Sequence, residues 1–326
     1  MIGLRVIEPG LLTTVQDLGR PRHTALGVPP SGATDPLSLV VGNRSLGNMD
    51  DDAAIECTLI GPVVEIDRDA WICLTGATCP DARIETRGAS RTLPWCTPTF
   101  VSAGERLDVG RLENGARCLL CISGGVSVPR VLDSRSTLIS AGLGGHHGRA
   151  LRPNDMLALN STARTPRRPT DDLHEWLRTR LARKTLRAMP SLHAEHFPLD
   201  ALDGLTSIPF TVSRQCDRIG VRLNEPINSL PHDPARFESE PTTTGGIQIA
   251  ADGRPIVLGV DRPTTGGYPL LACVIEADLP AVAMLRPREH VRFETIALDT
   301  ARELTMEHRR TLDALLPPSH AQTGTL

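Results

Sequence analysis

Short runs rich in valine, isoleucine and leucine recur along this chain, separated by glycine, proline, asparagine or aspartate, and they constrain its fold more than any other feature. In the first half they fall at Ile55 to Leu59, Pro62 to Ile66, Ala70 to Thr75, Arg106 to Val109, Cys118 to Ile122 and Met156 to Leu159. In the second half they fall at Ile208 to Val212, Gly246 to Ile249, Pro255 to Val260 and Val291 to Ile296. Runs of four to six residues are too short for amphipathic helices, and turn signals between them favour antiparallel sheet or barrel. The chain therefore reads as mainly β, with two lobes and a few short helices. Aromatic residues make up only 3% of it, so the cores must be aliphatic.

The lobes meet at a change of composition. STARTPRRPTDD, from Ser161 to Asp172, is polar and twice interrupted by proline, which is a linker composition. This divides the chain into a first β lobe over 1–162, a basic linker and helix over 163–190, a second β lobe over 191–298 and a tail over 299–326. Asp171 to Ala188 reads as one solvated basic helix with Leu173, Leu177, Leu181 and Leu186 on one side. The tail reads as one helix followed by a disordered PPSHAQTGTL. LRPNDML at Leu151 and LRPREHV at Leu285 echo each other, each a proline turn leading into a strand.

Charge and cysteine usage exclude several classes. The net charge of −3, with acidic and basic residues mixed, provides no field for nucleic acid. No apolar run is long enough to span a bilayer, and the first residues, MIGLRVIEPG, lack the basic and extended apolar regions of a leader, so a cytoplasmic protein is expected. Most of the eight cysteines lie in apolar strand-like runs, as reduced buried thiols do. Cys118 and Cys121 have a Cys-x-x-Cys spacing, but residues three apart on a strand point to opposite faces, which suits neither a shared metal nor a disulfide. His193 and His196 lack a third ligand nearby, and no metal is expected.

Residues 10 to 48 are the least ordinary stretch. A short β run, Leu11 to Val15, ends in Gln16, Asp17 and Arg20, and Gly19 with Pro21 breaks any regular element, so these polar groups sit on a turn. Val28-Pro29-Pro30-Ser31-Gly32-Ala33 is a shaped loop, because its prolines lack N–H groups and Gly32 permits positive φ. Thr34 or Asp35 before Pro36 starts a helix that runs to about Leu46 and stops at Gly47-Asn48, with Asn43 on its last turns. A loop entering a helix N-terminus suits a carboxylate, phosphate or carbamoyl group.

Other candidates are acid–base doublets and glycine-rich loops. Asp261-Arg262 precedes Thr264-Thr265-Gly266-Gly267-Tyr268, a strand end followed by hydroxyls and glycines that suits a polar amide. Asp217-Arg218 repeats the doublet, and an internal ion pair is the competing reading for both. Arg135 and Arg149 flank GLGGHHG and form a candidate pair for an oxyanion. Lys184 is the single lysine among 35 basic residues and sits in RLARKTLR. That context matches neither a biotin-bearing turn nor a Ser-Ser-Lys amidase relay, and no Gly-x-x-x-x-Gly-Lys phosphate loop is present.

The ordered motifs TTVQDLGR, GVPPSGATDP, GNRSLGN, IECTLIGP, SRSTLISAGLGGHHGRAL, CDRIGVRL and LGVDRPTTGGYPLLACVIEADLP resemble the KipA-like family. This family also goes by the names of the C-type subunit of 5-oxoprolinase, allophanate hydrolase subunit 2-like proteins and biotin-dependent carboxyltransferases. The resemblance runs from about Gly10 to Phe293 and implies a two-lobed, cyclophilin-like β-barrel architecture. It implies the C-type subunit of an ATP-dependent 5-oxoprolinase that opens the lactam of 5-oxoproline to L-glutamate, working with a KipI-like partner and a LamB/YcsF-like partner. ATP is expected at or across an interface between these proteins, and biotin is not attached to this chain. Two alternatives stay open: the carboxyltransferase component of a urea-carboxylase or allophanate-type system, and a non-enzymatic antagonist of a KipI-like kinase inhibitor. On these grounds Asp17 and Asp261 are the candidate catalytic carboxylates. Gln16, Arg20, Ser31, Gly32, Asn43, Arg135, Arg149, Arg218, Arg262 and Thr265 are the candidate substrate-binding residues. The TTVQDLGR and DRPTTGG turns are expected to face one shared cleft.

Overall fold

A computed structural model describes residues 3–86, 88–161, 165–231 and 238–319. Packing divides the chain into two compact units, one of Met1–Arg20, Ser31–Leu181 and Leu312–Leu326, the other of Pro21–Pro30 and Ala182–Thr311. Both are mainly β, as the spacing of the apolar runs predicts.

The first unit holds two sheets. In one, the strand order is Val126–Ser127, Met156–Leu159, Leu4–Glu8, Val63–Ile66, Arg106–Asp108, Arg83–Thr86 and Ala89–Thr92. In the other it is Leu12–Gln16, Ala54–Thr58, Glu113–Ile122, Ala70–Thr78 and Thr99–Val101. Inward residues alternate along the strands, for example Leu4 and Val6 or Val64 and Ile66, which is the period-2 pattern of a sheet with one apolar face. Cys118 stands directly across from Cys57, and Cys121 from Cys73, so the two cysteines of the Cys-x-x-Cys spacing enter different clusters. All eight cysteines are free thiols.

Helix α1, Pro36–Ser45, forms where the sequence places it. Asp35, not Thr34, is its cap: the side chain accepts the Ser38 N–H at 3.0 Å, and Pro36 occupies the first turn, where a missing N–H costs nothing. The helix ends at Leu46, and Gly47 follows with φ +71°. It lies on the second sheet, where the Thr75 hydroxyl donates to the Ser38 carbonyl at 2.8 Å. Leu39 and Leu46 share a small core with Ala54, Cys73, Leu119 and Cys121.

The basic helix is shorter than the sequence suggests. Helix α2 spans Asp171–Leu181 and buries Leu173, Leu177 and Leu181, one stripe at i, i+4 and i+8. Beyond it the chain extends as the strand Thr185–Pro190, in which Leu186 and Ala188 alternate inward. Leu186 is thus buried as expected but on a period of two, because the neighbouring strands His290–Thr295 and Leu270–Val274 supply hydrogen-bond partners on both sides. The units consequently divide at Leu181 and Ala182, after the helix, and not within the proline-rich stretch. Thr162 to Arg164 of that stretch lie outside the described residues, as do residues 320–326 of the expected disordered tail.

The larger sheet of the second unit has the order Phe210–Thr211, His290–Thr295, Thr185–Pro190, Leu270–Val274, Gly246–Ile249, Pro255–Leu258 and Gly220–Arg222. Its core includes Phe210, Phe293, Leu205, Ile247, Val257 and Leu271. Three further helices follow in chain order: α3 (Ala201–Ser207), α4 (Leu279–Met284) and α5 (Leu298–Leu315). The echo between LRPNDML and LRPREHV is structural. In each turn the residue before the acid has positive φ, Asn154 at +69° and Arg288 at +75°. The acid then accepts the arginine N–H, Asp155 from Arg152 at 2.7 Å and Glu289 from Arg286 at 3.0 Å.

Asp278 precedes α4 but does not cap it. Only 1% exposed, it instead accepts the Arg187 N–H at 2.8 Å, Nε at 3.0 Å and Nη2 at 2.5 Å, joining the start of α4 to the sheet. Asp278→Ala removes the counter-ion of a half-buried guanidinium and should cost about 3 kcal/mol, the scale for breaking such a pair from one side. A chemical denaturation midpoint unchanged from wild type would contradict this assignment.

Candidate functional site

In the first unit the TTVQDLGR turn is organised by one carboxylate. Asp17 is 3% exposed, and its Oδ1 accepts the Gly19 N–H at 2.8 Å, the Ser134 hydroxyl at 2.7 Å and the Ser136 hydroxyl. Its Oδ2 accepts the Arg135 N–H at 2.5 Å. Four donors thus reach the carboxylate, three on Oδ1 and one on Oδ2. Arg20, 1% exposed, runs along the same loop, with Nε donating to the Val131 carbonyl at 3.3 Å and Nη2 to the Ser136 carbonyl. Gln16 donates to the Thr14 hydroxyl at 2.9 Å and the Thr137 carbonyl at 3.1 Å. These three residues, predicted to touch substrate, bind residues 131–137 to the turn.

The PPSGATDP loop is pressed against that turn. Ser31 has φ +53° and Gly32 φ +91°, and a Cβ at Gly32 would stand 2.9 Å from the Gly19 nitrogen, so only glycine fits there. The Ala33 N–H completes the contact by donating to the Asp17 carbonyl at 2.8 Å. The N-terminus of α1 is not the open anion site expected of it, because protein carboxylates already occupy it. Asp35 takes the Ser38 N–H, while Glu56 accepts the Thr34 N–H at 2.6 Å and the Thr34 hydroxyl at 3.0 Å. Burial pushes the Asp35 carboxyl up to about 6, and the nearby Glu56 charge acts in the same direction.

Most of the remaining candidates in this unit have structural partners. Asn43 donates to the Asp50 and Asp52 carbonyls at 3.2 and 2.8 Å, closing the chain after α1. Arg149 forms a bidentate pair with Asp155 at 2.7 and 2.8 Å, so it does not complete an oxyanion pair with Arg135. The Arg135 Nε donates to the Val128 carbonyl at 3.1 Å.

In the second unit the two members of the Asp261-Arg262 doublet have different fates. Asp261 is held by Arg218, with Nε to Oδ2 at 2.8 Å and Nη2 to Oδ1 at 3.1 Å, so both residues form an internal brace. Arg262 is 7% exposed and has no such partner. Its Nη1 donates to the Thr244 hydroxyl at 3.1 Å and its Nη2 to the Thr242 carbonyl at 3.2 Å, while its Nε is buried without an acceptor. Among the described residues no carboxylate forms an ion pair with it, and burial pulls its pKa below the usual arginine value. Arg262, Thr243, Thr244 and Cys273 line a cavity of about 760 Å³ that also touches Pro21, Thr24 and one face of α5. The Cys273 thiol is pushed up to about 11 by burial, which keeps it protonated at neutral pH. Thr265 is exposed, on a two-residue strand paired with Glu240–Pro241. Sequence reasoning missed Thr243, Thr244 and Cys273; the run Pro241-Thr242-Thr243-Thr244-Gly245-Gly246, a near copy of PTTGG, was the available signal.

Fold and site together define the class. Residues 26–295 match the carboxyltransferase domain family, subdomain A and B, and the chain belongs to that family. It is 33% identical to the C-type subunit of 5-oxoprolinase from Escherichia coli over 96% of this chain and 97% of that protein. It is 32% identical to the corresponding 5-oxoprolinase component of Haemophilus influenzae over 93% and 94%. Among solved structures it is similar to K. lactis urea amidolyase, with a TM-score of 0.84 and 26% identity over 99% of this chain. There it corresponds to only 20% of the longer protein. Among the described residues no helix is long and apolar enough to cross a membrane.

Two outcomes test the first-unit reading. Asp17→Asn replaces an acceptor with an amide donor facing hydroxyls and N–H groups, and should lower stability by about 2 to 4 kcal/mol, with any activity falling in step. A variant that keeps its melting temperature but loses activity would return Asp17 to the chemistry. For Asp35, the folded value of about 6 lies above the unfolded 3.8, so the folded state binds more protons between them. Stability from this group is therefore present below about pH 4 and lost as pH rises to about 6. Melting temperatures from pH 4 to 7 should show that decline in wild type and lack it in Asp35→Asn.

Proposed function

We propose that this chain is the C-type subunit of a 5-oxoprolinase complex that opens the 5-oxoproline lactam to L-glutamate, with KipI-like and LamB/YcsF-like proteins as its partners. One observation carries this reading beyond similarity: both candidate catalytic carboxylates are held by the chain's own donors. Asp17 accepts four hydrogen bonds and Asp261 a bidentate guanidinium, so neither is placed as a general base for water. A chain of this kind binds and orients the amide, and its partners supply the reactive groups.

ATP would phosphorylate the lactam oxygen, so that water could add to the ring carbonyl carbon, the C–N bond break with nitrogen leaving as the amine, and a second water release phosphate. Arg44, Arg149, Arg187 and Arg218 are paired with Asp50, Asp155, Asp278 and Asp261 and are not open to a triphosphate. Lys184 is paired with Glu289 at 2.6 Å. This supports a nucleotide held at or across an interface with a partner protein. The likeness to a segment of urea amidolyase supports a second reading, carboxyl transfer to an amide from biotin carried on another chain.

The purified chain alone should form no glutamate from 5-oxoproline and ATP above background, and should do so when the two partner proteins are added. Robust turnover by the isolated chain would refute the division of labour. Turnover by the complex only with a carboxybiotin carrier and a neutral amide would favour the second reading.

A further inference from the structure

Arg262 is a buried motif arginine with no carboxylate partner among the described residues, and it stands at the wall of a cavity. Of its five N–H donors two make hydrogen bonds to Thr244 and Thr242 and the Nε N–H is buried without an acceptor, which leaves one N–H on each of Nη1 and Nη2 for something that enters from the cavity. The surrounding wall is largely apolar, with Met189, Leu279, Leu298 and Met306 among its residues. A buried guanidinium in such a setting is compensated best by an anion, and its planar fork matches a carboxylate. The anion must also be small in charge. The other charged residues that line it are already paired, Arg302 with Asp299 at 3.3 Å and Glu276 with Arg309 at 2.6 Å, so the single uncompensated charge of Arg262 is balanced by a monoanion.

We infer that the Arg262 cavity receives the carboxylate of a small amide substrate, and so discriminates 5-oxoproline, which carries one, from urea, which does not. The inference rests on the 5-oxoprolinase reading and names the group by which this chain recognises the substrate. The carboxylate pairs with the free N–H donors of Arg262, the Thr243 and Thr244 hydroxyls flank it, and the lactam ring lies against the apolar wall. A neutral amide can accept from the same N–H groups but leaves the charge uncompensated.

Calorimetric titration of the full chain tests this with four probes: 5-oxoproline, 2-pyrrolidinone (the same lactam without the carboxylate), urea and inorganic phosphate. The expected result is that 5-oxoproline binds at least tenfold more tightly than the other three. Arg262→Met should lose that affinity at least tenfold without a fall in melting temperature, since an apolar side chain replaces an uncompensated charge, and Arg262→Lys should retain part of it. Equal binding of 2-pyrrolidinone, tighter binding of phosphate, or full affinity in Arg262→Met would overturn the inference. In the assembled complex, Arg262→Met should raise KM for 5-oxoproline more than it lowers kcat. If the complex turns over 5-oxoproline and this variant has an unchanged KM, the cavity assignment fails while the function stands. If the complex does not act on 5-oxoproline, but small monocarboxylates bind the chain in an Arg262-dependent way, the function fails while the anion site stands. Binding of no monocarboxylate, to chain or complex, ends the proposal.

Discussion

Charge removed from water has to be compensated inside the protein, and the irregular segments of this chain are held in place by that requirement. Asp17 draws Gly19, Ser134, Arg135 and Ser136 to one point, which fixes the turn after the strand Leu12–Gln16 against a loop more than a hundred residues away. Asp155, Asp261 and Asp278 do the same for Arg149, Arg218 and Arg187. Where the backbone leaves regular structure, a carboxylate and its donors take over the role that ladder hydrogen bonds play in the sheets.

Arg262 has no such carboxylate among the described residues, and its position gives that meaning. It follows Asp261 directly, yet its guanidinium turns to a threonine hydroxyl and a carbonyl beside a cavity, while Asp261 is claimed by Arg218. A chain optimised only for stability would supply a counter-ion or remove the charge. Local violations of otherwise consistent chemistry concentrate at functional sites, because a ligand supplies what the fold withholds.

The same fold occurs alone and as a segment of much longer proteins. The chain accounts for nearly all of the 5-oxoprolinase component it matches in E. coli but about a fifth of K. lactis urea amidolyase. Architecture therefore does not select the reaction, and function has to be read from individual side chains. A planar amide is common to both chemistries; a carboxylate on the substrate is not, which is why the compensation of one arginine separates them.

The local features of this protein were legible in its sequence. Short apolar runs between turn residues placed the strands Gly246–Ile249 and Met156–Leu159, aspartate before proline placed the start of α1, and the strand period put Cys118 and Cys121 on opposite faces. These follow from backbone sterics and side-chain periodicity over a few residues. The end of α2 was not legible, since Thr185 to Ala188 becomes a strand only because Leu270–Val274 and His290–Thr295 offer it partners. The roles of the polar motif residues were legible least of all. In the sequence Asp17 and Asp261 read alike as candidate catalytic carboxylates, and Arg218 and Arg262 read alike as candidate substrate-binding residues. Which of them is satisfied depends on donors 117 or 43 positions away, brought close by strand register and loop closure. Only the tertiary structure decided that Arg218 has a carboxylate and Arg262 has a cavity.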